Sequence, residues 1–396
     1  MAHGMSRSAV LRFVWLSTVA GAWACGGTTP SPTANDSPNA GTSPAFLGVS
    51  YNCLTEGAPS SASIHGIDAA SGLPAVGIGQ NISGNYSPPV FGPANGATRY
   101  VHLAAYEGAN QVVLQTHSVD ARGAMRLLGS TPLPAGTGAF PMVLDRTGRF
   151  LITGRIPLTE GGPFSAAVYR VDGGGAPQLV SSASVPSDIF MFTLAIAPSG
   201  RYVYGHGFGS CCPSLVAFSL NPDTGALTVV PGSPFAQTGS FAMTMHPTGR
   251  FLYTIEGFAS DSIALSNVDA TTGVPSRARG FSSPFLYEMT IDPSGRFLYG
   301  VGARGAITAY AVDTATGSLS RLADTPLPSD EAGGSLSIDS SGRYLYVRVS
   351  SQPHVPTRAR LLAYRLDAQT GALSPLSGFP SNPAGACCPL KVMASP

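Results

Sequence analysis

The chain has 396 residues, 43% of them hydrophobic and only 11% charged, with 22 Lys and Arg against 21 Asp and Glu. A composition this apolar and weakly charged describes a folded, β-rich chain and excludes extended disorder outside the N-terminus. The net charge of +1, with Lys391 the sole lysine, leaves no basic stripe for a phosphate backbone, so nucleic acid is not expected as a partner.

In chain order the first element is Arg7 and Arg12 followed by the apolar run "FVWLSTVAGAWA" and Cys25, the charged, apolar and small-residue order of an export signal over residues 1–25. The run is too short to span about 30 Å of hydrocarbon as a mature helix. Cys25 after "AWA" resembles the lipobox of bacterial lipoproteins, with Ala22 and Trp23 departing from that pattern; lipidation at Cys25 and plain cleavage before it both remain open. Residues 26–44, "GGTTPSPTANDSPNAGTSP", hold no Val, Ile, Leu or aromatic side chain and read as a disordered tether. The expected location is therefore the bacterial cell envelope, lipid-anchored at the membrane surface or periplasmic, with the membrane touched only through the anchor.

From residue 45 to 396 two signals interleave. One is a turn with Gly-Arg-aromatic at its end: "DRTGRF" (145), "APSGRY" (197), "HPTGRF" (246), "DPSGRF" (292) and "DSSGRY" (339), with a degenerate copy at Arg99. The other is an acidic turn before a short apolar run: "IDAASGLP" (67), "VDARGAM" (119), "VDGGGAP" (171), "LNPDTGAL" (220), "VDATTGVP" (268), "VDTATGSL" (312) and "LDAQTGAL" (366). The spacing of roughly fifty residues belongs to propellers and solenoids. Four short strand-like runs per period, as in residues 241–280, make each unit a propeller blade. Naming the strands A to D outward from the channel, the Gly-Arg turn joins A to B and the acidic turn joins C to D. Their glycines supply a backbone angle that other residues resist.

One Gly-Arg turn is missing from the count, and the two ends of the chain supply its flanks: "AFLGVSYN" (45–52) reads as a B strand and "LKVMASP" (390–396) as an A strand. The expectation is an all-β, seven-bladed β-propeller of four-stranded antiparallel blades, closed by the C-terminal strand pairing with the N-terminal one. Such closure removes exposed sheet edges.

The stretch "AFSLNPDTGALTVVPGSPF" (217–235) with "HPTGRFLYTIEG" (246–257) resembles the seven-bladed propeller lactonase family, the 6-phosphogluconolactonase-like propellers. The resemblance covers about residues 45–396 and implies a lactone-hydrolysing activity without a cofactor. It rests on scaffold motifs, which identify a fold more strongly than a reaction. The family's B strands often continue into an Asn after the aromatic, where this chain has "YGHG", "YTIEG" and "YGVG", and no family catalytic motif transfers residue by residue.

Five clean copies of Gly-Arg on one tight turn point to a structural arginine. Function is expected on the opposite face, where the B–C and D–A connections vary most. All six glutamates fall there. Glu256, Glu288, His206 and Arg304 are the candidate catalytic groups, with a carboxylate or imidazole as base for water and an arginine on the developing oxyanion. Arg155, Arg348, Glu107, Glu331 and His354 are the candidate ligand-binding groups. No Gly-x-Ser-x-Gly, HExxH or Walker sequence is present. Adjacent pairs Cys211–Cys212 and Cys387–Cys388 do not have zinc-ligand spacing, so no metal is expected. In an exported chain they and Cys53 are disulfide candidates, with Cys53 expected near Cys387 and Cys388 at the closure. Two functions follow: a lactonase-like hydrolase acting on a small lactone or carbohydrate-like ligand, or a non-catalytic propeller that binds such a ligand or a protein partner. A monomer is expected in either case.

Overall fold

The glycines of the five Gly-Arg turns, Gly148, Gly200, Gly249, Gly295 and Gly342, all sit at φ between 69° and 75°, where a side chain is resisted. The acid that opens the turn holds it shut. Asp292 accepts the Phe297 amide at 2.7 Å and the Ser294 amide at 3.0 Å, while the Gly295 amide closes on the Asp292 carbonyl at 2.9 Å. Each such turn joins two antiparallel strands, and the acidic turn joins the next two.

In this computed structural model the described residues are 45–394 other than 53–60, 84, 88, 96–97, 108–110, 121–122, 158–164, 173, 185–189, 209–212, 237–241, 257–260, 329–330, 351–358 and 380–387. Their strands form seven antiparallel sheets. Sheet I contains Cys388–Ala394, Ala45–Asn52, Ser61–Ile67 and Pro74–Ser83; sheet II contains Asn85–Tyr86 and Val90–Asn95, then Thr98–Tyr106, Val112–Val119 and Met125–Pro132. Sheet III contains Thr137–Leu144, Phe150–Pro157, Ser165–Arg170 and Gln178–Ser184; sheet IV contains Phe190–Ile196, Tyr202–Phe208, Pro213–Leu220 and Leu227–Val229, with Phe235–Ala236 beside the third. Sheet V contains Met243–Met245, Phe251–Ile255, Ser262–Val268 and Pro275–Ser282; sheet VI contains Leu286–Ile291, Phe297–Gly302, Ala306–Val312 and Leu319–Arg321, with Thr325–Pro326 beside the third. Sheet VII contains Ala332–Ile338, Tyr344–Ser350, Ala359–Leu366 and Leu373–Pro375. The architecture is an all-β propeller with four-stranded antiparallel blades.

The hydrophobic core lies between blades. One layer holds Phe150, Ile152 and Val168 of sheet III against Leu194, Val203 and Phe218 of sheet IV; another holds Phe297, Tyr299 and Val301 of sheet VI against Leu336, Leu345 and Val347 of sheet VII. The inner strands touch in chain order from Val90–Asn95 through Ala332–Ile338 to Cys388–Ala394, and Ser61–Ile67 of sheet I touches Asn85–Tyr86 of sheet II. Ala45–Asn52 pairs with Cys388–Ala394, Val49 facing Val392 and Asn52 facing Cys388.

The two repeated sequence signals are the two halves of one joint. Arg149 donates to the Asp223 carbonyl at 3.2 Å, Arg250 to Ala315 at 3.2 Å, Arg296 to Ala368, and Arg343 to Ala69 at 2.6 Å, always from an A–B turn to the C–D turn of the next sheet. Three of these guanidiniums, those of Arg149, Arg250 and Arg296, lie over the phenylalanine that follows in sequence, 5.1 to 5.4 Å from its ring centroid. Tyr204, Tyr253, Tyr299 and Tyr346 donate to the turn glycines Gly273, Gly317, Gly371 and Gly72 at 2.8 to 3.0 Å. The arginine is structural, as the repetition implied. Sheet VII uses this joint to grip sheet I.

Candidate functional site

On the face opposite the joints, three of the sequence candidates are held in ion pairs away from the inner strands. Glu256 follows the second strand of sheet V and is buried; its Oε1 receives Arg277 Nε at 3.1 Å and Nη2 at 2.5 Å, and its Oε2 receives Ser262 Oγ at 2.7 Å. Those partners come from the third and fourth strands, so the carboxylate ties three strands of one blade together. Glu331 takes a bidentate pair from Arg360, at 2.8 and 2.9 Å, which raises the arginine's pKa. Arg304 reaches Asp261 at 3.1 Å in an exposed pair between sheets VI and V. Glu107 is exposed at the end of Thr98–Tyr106. Arg155 pairs by its backbone with Ser165 and Ala139. His354, Cys25, Cys53, Cys211, Cys212 and Cys387 lie outside the described residues, and Cys388 is placed by its backbone pairing alone.

The remaining three, His206, Glu288 and Arg348, share one structural level. His206 faces Thr193 across the two inner strands of sheet IV, Glu288 faces Val301 in sheet VI, and Arg348 faces Ser335 in sheet VII. Just before each of these rungs the register shifts, between Met191 and Thr193, Leu286 and Glu288, and Gly333 and Ser335. A bulge of this kind re-aims the side chains beside it. In all three sheets it adjoins the fourth paired rung counted from the Gly-Arg turn.

Burial differs among the three. His206 is fully buried and Arg348 is 6% exposed, while Glu288 on the innermost strand is half-buried. A guanidinium so far from water is tolerated only among polar or anionic partners. Arg348 lies against the inner strand because Gly334 has no side chain: a Cβ there would overlap the guanidinium nitrogen Nη1. Ser335, one residue on, is 2% exposed and its Oγ has no hydrogen-bond partner among the described residues. Neither Gly334 nor Ser335 carried a sequence signal, since each sits in "AGGSLSI" without a titratable group. The arrangement offers a carboxylate, a guanidinium, an imidazole and a hydroxyl on the inner strands of blades IV, VI and VII. Among the described residues no group of three or more His, Cys, Asp and Glu could hold a metal ion, and no helix is long and apolar enough to cross a membrane.

No family model and no curated protein sequence matches the chain. Its fold is nonetheless shared with solved structures. A proposed 6-phosphogluconolactonase from Bacteroides fragilis superposes with a TM-score of 0.66 at 17% identity, covering 91% of this chain and 100% of that one. A second, from Bacteroides uniformis, gives 0.66 at 16% identity over 89% of this chain and 99% of its own. The periplasmic gluconolactonase of Pseudomonas aeruginosa gives 0.65 at 17%, over 89% and 99%. At the level of fold this chain shares the β-propeller of those structures.

Proposed function

We propose that the chain is an exported, lactonase-like propeller hydrolase whose chemistry is carried by Glu288 and Arg348, on the same rung as the buried His206. The observation behind this reading is the common rung that places these three residues on the inner strands while Glu256, Glu331 and Arg304 are paired elsewhere. In the reaction a water oxygen attacks the lactone carbonyl carbon and Glu288 accepts the water proton. The carbonyl electron pair moves onto oxygen, where the Arg348 guanidinium and Ser335 Oγ–H offset the new charge. Collapse of the intermediate breaks the ring C–O bond, and the departing alkoxide takes the proton back from Glu288. The product is an open hydroxy acid, with no cofactor needed.

The seven sheets are read as seven blades of one ring. The pairing of Val49 with Val392 and the bonds of Arg343 and Tyr346 to Ala69 and Gly72 support closure between first and last blades. Export rests on the apolar run before Cys25, outside the described residues, and is compatible with a fold neighbour that is a periplasmic gluconolactonase. Replacing Cys25 with Ser should release the protein from membranes; retention at high salt counts against a lipid anchor. Cys53 follows Asn52, whose backbone partner is Cys388, and cross-strand neighbours lie within disulfide range. Non-reducing peptide mapping is expected to find Cys53 linked to Cys387 or Cys388.

The activity is tested on a panel of lactones by proton release, against buffer and heat-killed controls. Turnover by the wild type that falls at least a hundredfold in Glu288→Gln, with an unchanged melting temperature, supports the proposal. No turnover on any lactone moves the reading to a ligand-binding propeller.

A further inference from the structure

A cleft of about 460 Å³ opens between sheets V and VI at the outer edge of the propeller, far along the strand order from the inner strands. One wall is the end of the outermost strand of sheet V, with Arg279 and Phe281; the other is Ser318, Ser320 and Arg321 of sheet VI. Tyr310 forms its floor. The tyrosine is 1% exposed, its ring is part of the apolar layer that includes Phe251 and Leu265, and its hydroxyl is buried beside Ser283. The neighbouring Ser283 hydroxyl is given to the Pro284 carbonyl at 3.0 Å. Burial pushes the phenol up to about 12, so the O–H remains a donor at neutral pH.

The charges of the cleft do not cancel. Arg321 is held by Asp324 at 2.8 Å. The Glu256 carboxylate comes close behind Gly280, but it is taken by Arg277 and Ser262. Arg279 lies 5.7 Å from the Phe281 centroid and makes no ion pair with a described residue. One guanidinium is therefore left over, beside serine hydroxyls and the apolar faces of Phe281 and Leu319.

We propose that this cleft binds a carboxylate-bearing sugar. Arg279 would take the carboxylate, because a guanidinium matches it with two parallel N–H donors. The serines would meet ring hydroxyls, and Phe281 the C–H face. The site is independent of the inner-strand chemistry and stands or falls separately from it.

Calorimetric titration of the full chain at low salt with a galacturonate trimer tests this, with a neutral galactose trimer and inorganic sulfate as comparison probes. The acidic trimer should bind, and the neutral trimer should bind at least tenfold more weakly. Arg279→Ala should lower affinity tenfold or more, and Arg279→Lys, which lacks the planar fork, at least threefold, with both melting temperatures near that of the wild type. Asp324→Asn, which frees Arg321, should tighten binding. The proposal is overturned if the wild type does not bind the trimer, if sulfate binds equally well, or if both folded variants bind as the wild type does.

Discussion

On the face of the Gly-Arg turns, Arg149, Arg250, Arg296 and Arg343 all reach a carbonyl in the C–D turn of the next blade. On the opposite face Arg277, Arg304 and Arg360 each pair with an acid at a different place: within a blade, across two blades, and from a loop to a strand. The first pattern recurs because these four blades are fastened to their neighbours by the same geometry. The second carries no such shared demand, so its residues are free to differ, and a site can be built there without loosening the joints between blades. The comparison yields experiments of graded size.

The largest effect belongs to the joint between the last and first blades. Gly72 has φ of +74° and the Tyr344 ring occupies the space a Cβ would need, whereas Gly200 has φ of +69° with nothing near its Cβ position. Gly200→Ala meets only backbone strain and should cost about 1 kcal/mol. Gly72→Ala adds overlap with an aromatic ring and should cost about 3 kcal/mol. Urea unfolding of both variants measures the difference; equal midpoints would mean that this joint carries no more load than a solvated turn.

Acid should attack the first two blades before the others. His65 of sheet I and His102 of sheet II are 7% and 1% exposed, and burial lowers the pKa of each to about 4. Because the folded pKa lies below the unfolded value of about 6.5, the neutral ring favours folding. Its stabilisation is fully present above pH 6.5 and is lost as pH falls from there toward 4. Each shift corresponds to roughly 3 kcal/mol. Amide exchange at pH 4.5 should therefore rise in sheets I and II relative to sheet III, whose strands hold no histidine, and His102→Phe should flatten the pH dependence. Exchange at pH 4.5 that is uniform across these sheets would contradict it.

Much of this fold was legible because the joints repeat. "PSGRF" and "DTATG" differ in chemistry, yet each recurs at a fixed interval, and the contact of Arg250 with Ala315 and of Tyr253 with Gly317 explains why both had to recur together. The candidate site was less legible. Glu256 and Glu288 look alike in sequence, and only the chain path shows that one faces Arg277 within its own blade while the other stands on the innermost strand. Gly334 and Ser335 gave no signal at all, since what singles them out is the guanidinium of Arg348 lying against that strand.

That contact gives a smaller, sharper test of the variable face. Gly334→Ala places a methyl group where Arg348 Nη1 lies, so the guanidinium must move while the strand stays paired. Turnover or ligand affinity should drop about tenfold, near 1.4 kcal/mol, with a modest change in melting temperature. Restoring room with Arg348→Lys in the same chain should not restore activity, because an ammonium lacks the planar fork.

The smallest effects come from single bonds on each face. Tyr346→Phe removes one buried hydrogen bond, to the Gly72 carbonyl at 3.0 Å, and should cost about 1 kcal/mol, since the carbonyl is left without that donor. Arg304→Ala removes an ion pair whose two side chains are 64% and 49% exposed. Water and salt already weaken that pair, so its loss should change stability by less than about 0.5 kcal/mol. Measured at 50 and 500 mM salt, the tyrosine variant should keep its deficit, because its bond is between neutral groups, and any Arg304→Ala deficit should vanish. A salt-insensitive loss at Arg304 as large as that at Tyr346 would mean that the variable face also fastens the blades together, and the division between the two faces would fail.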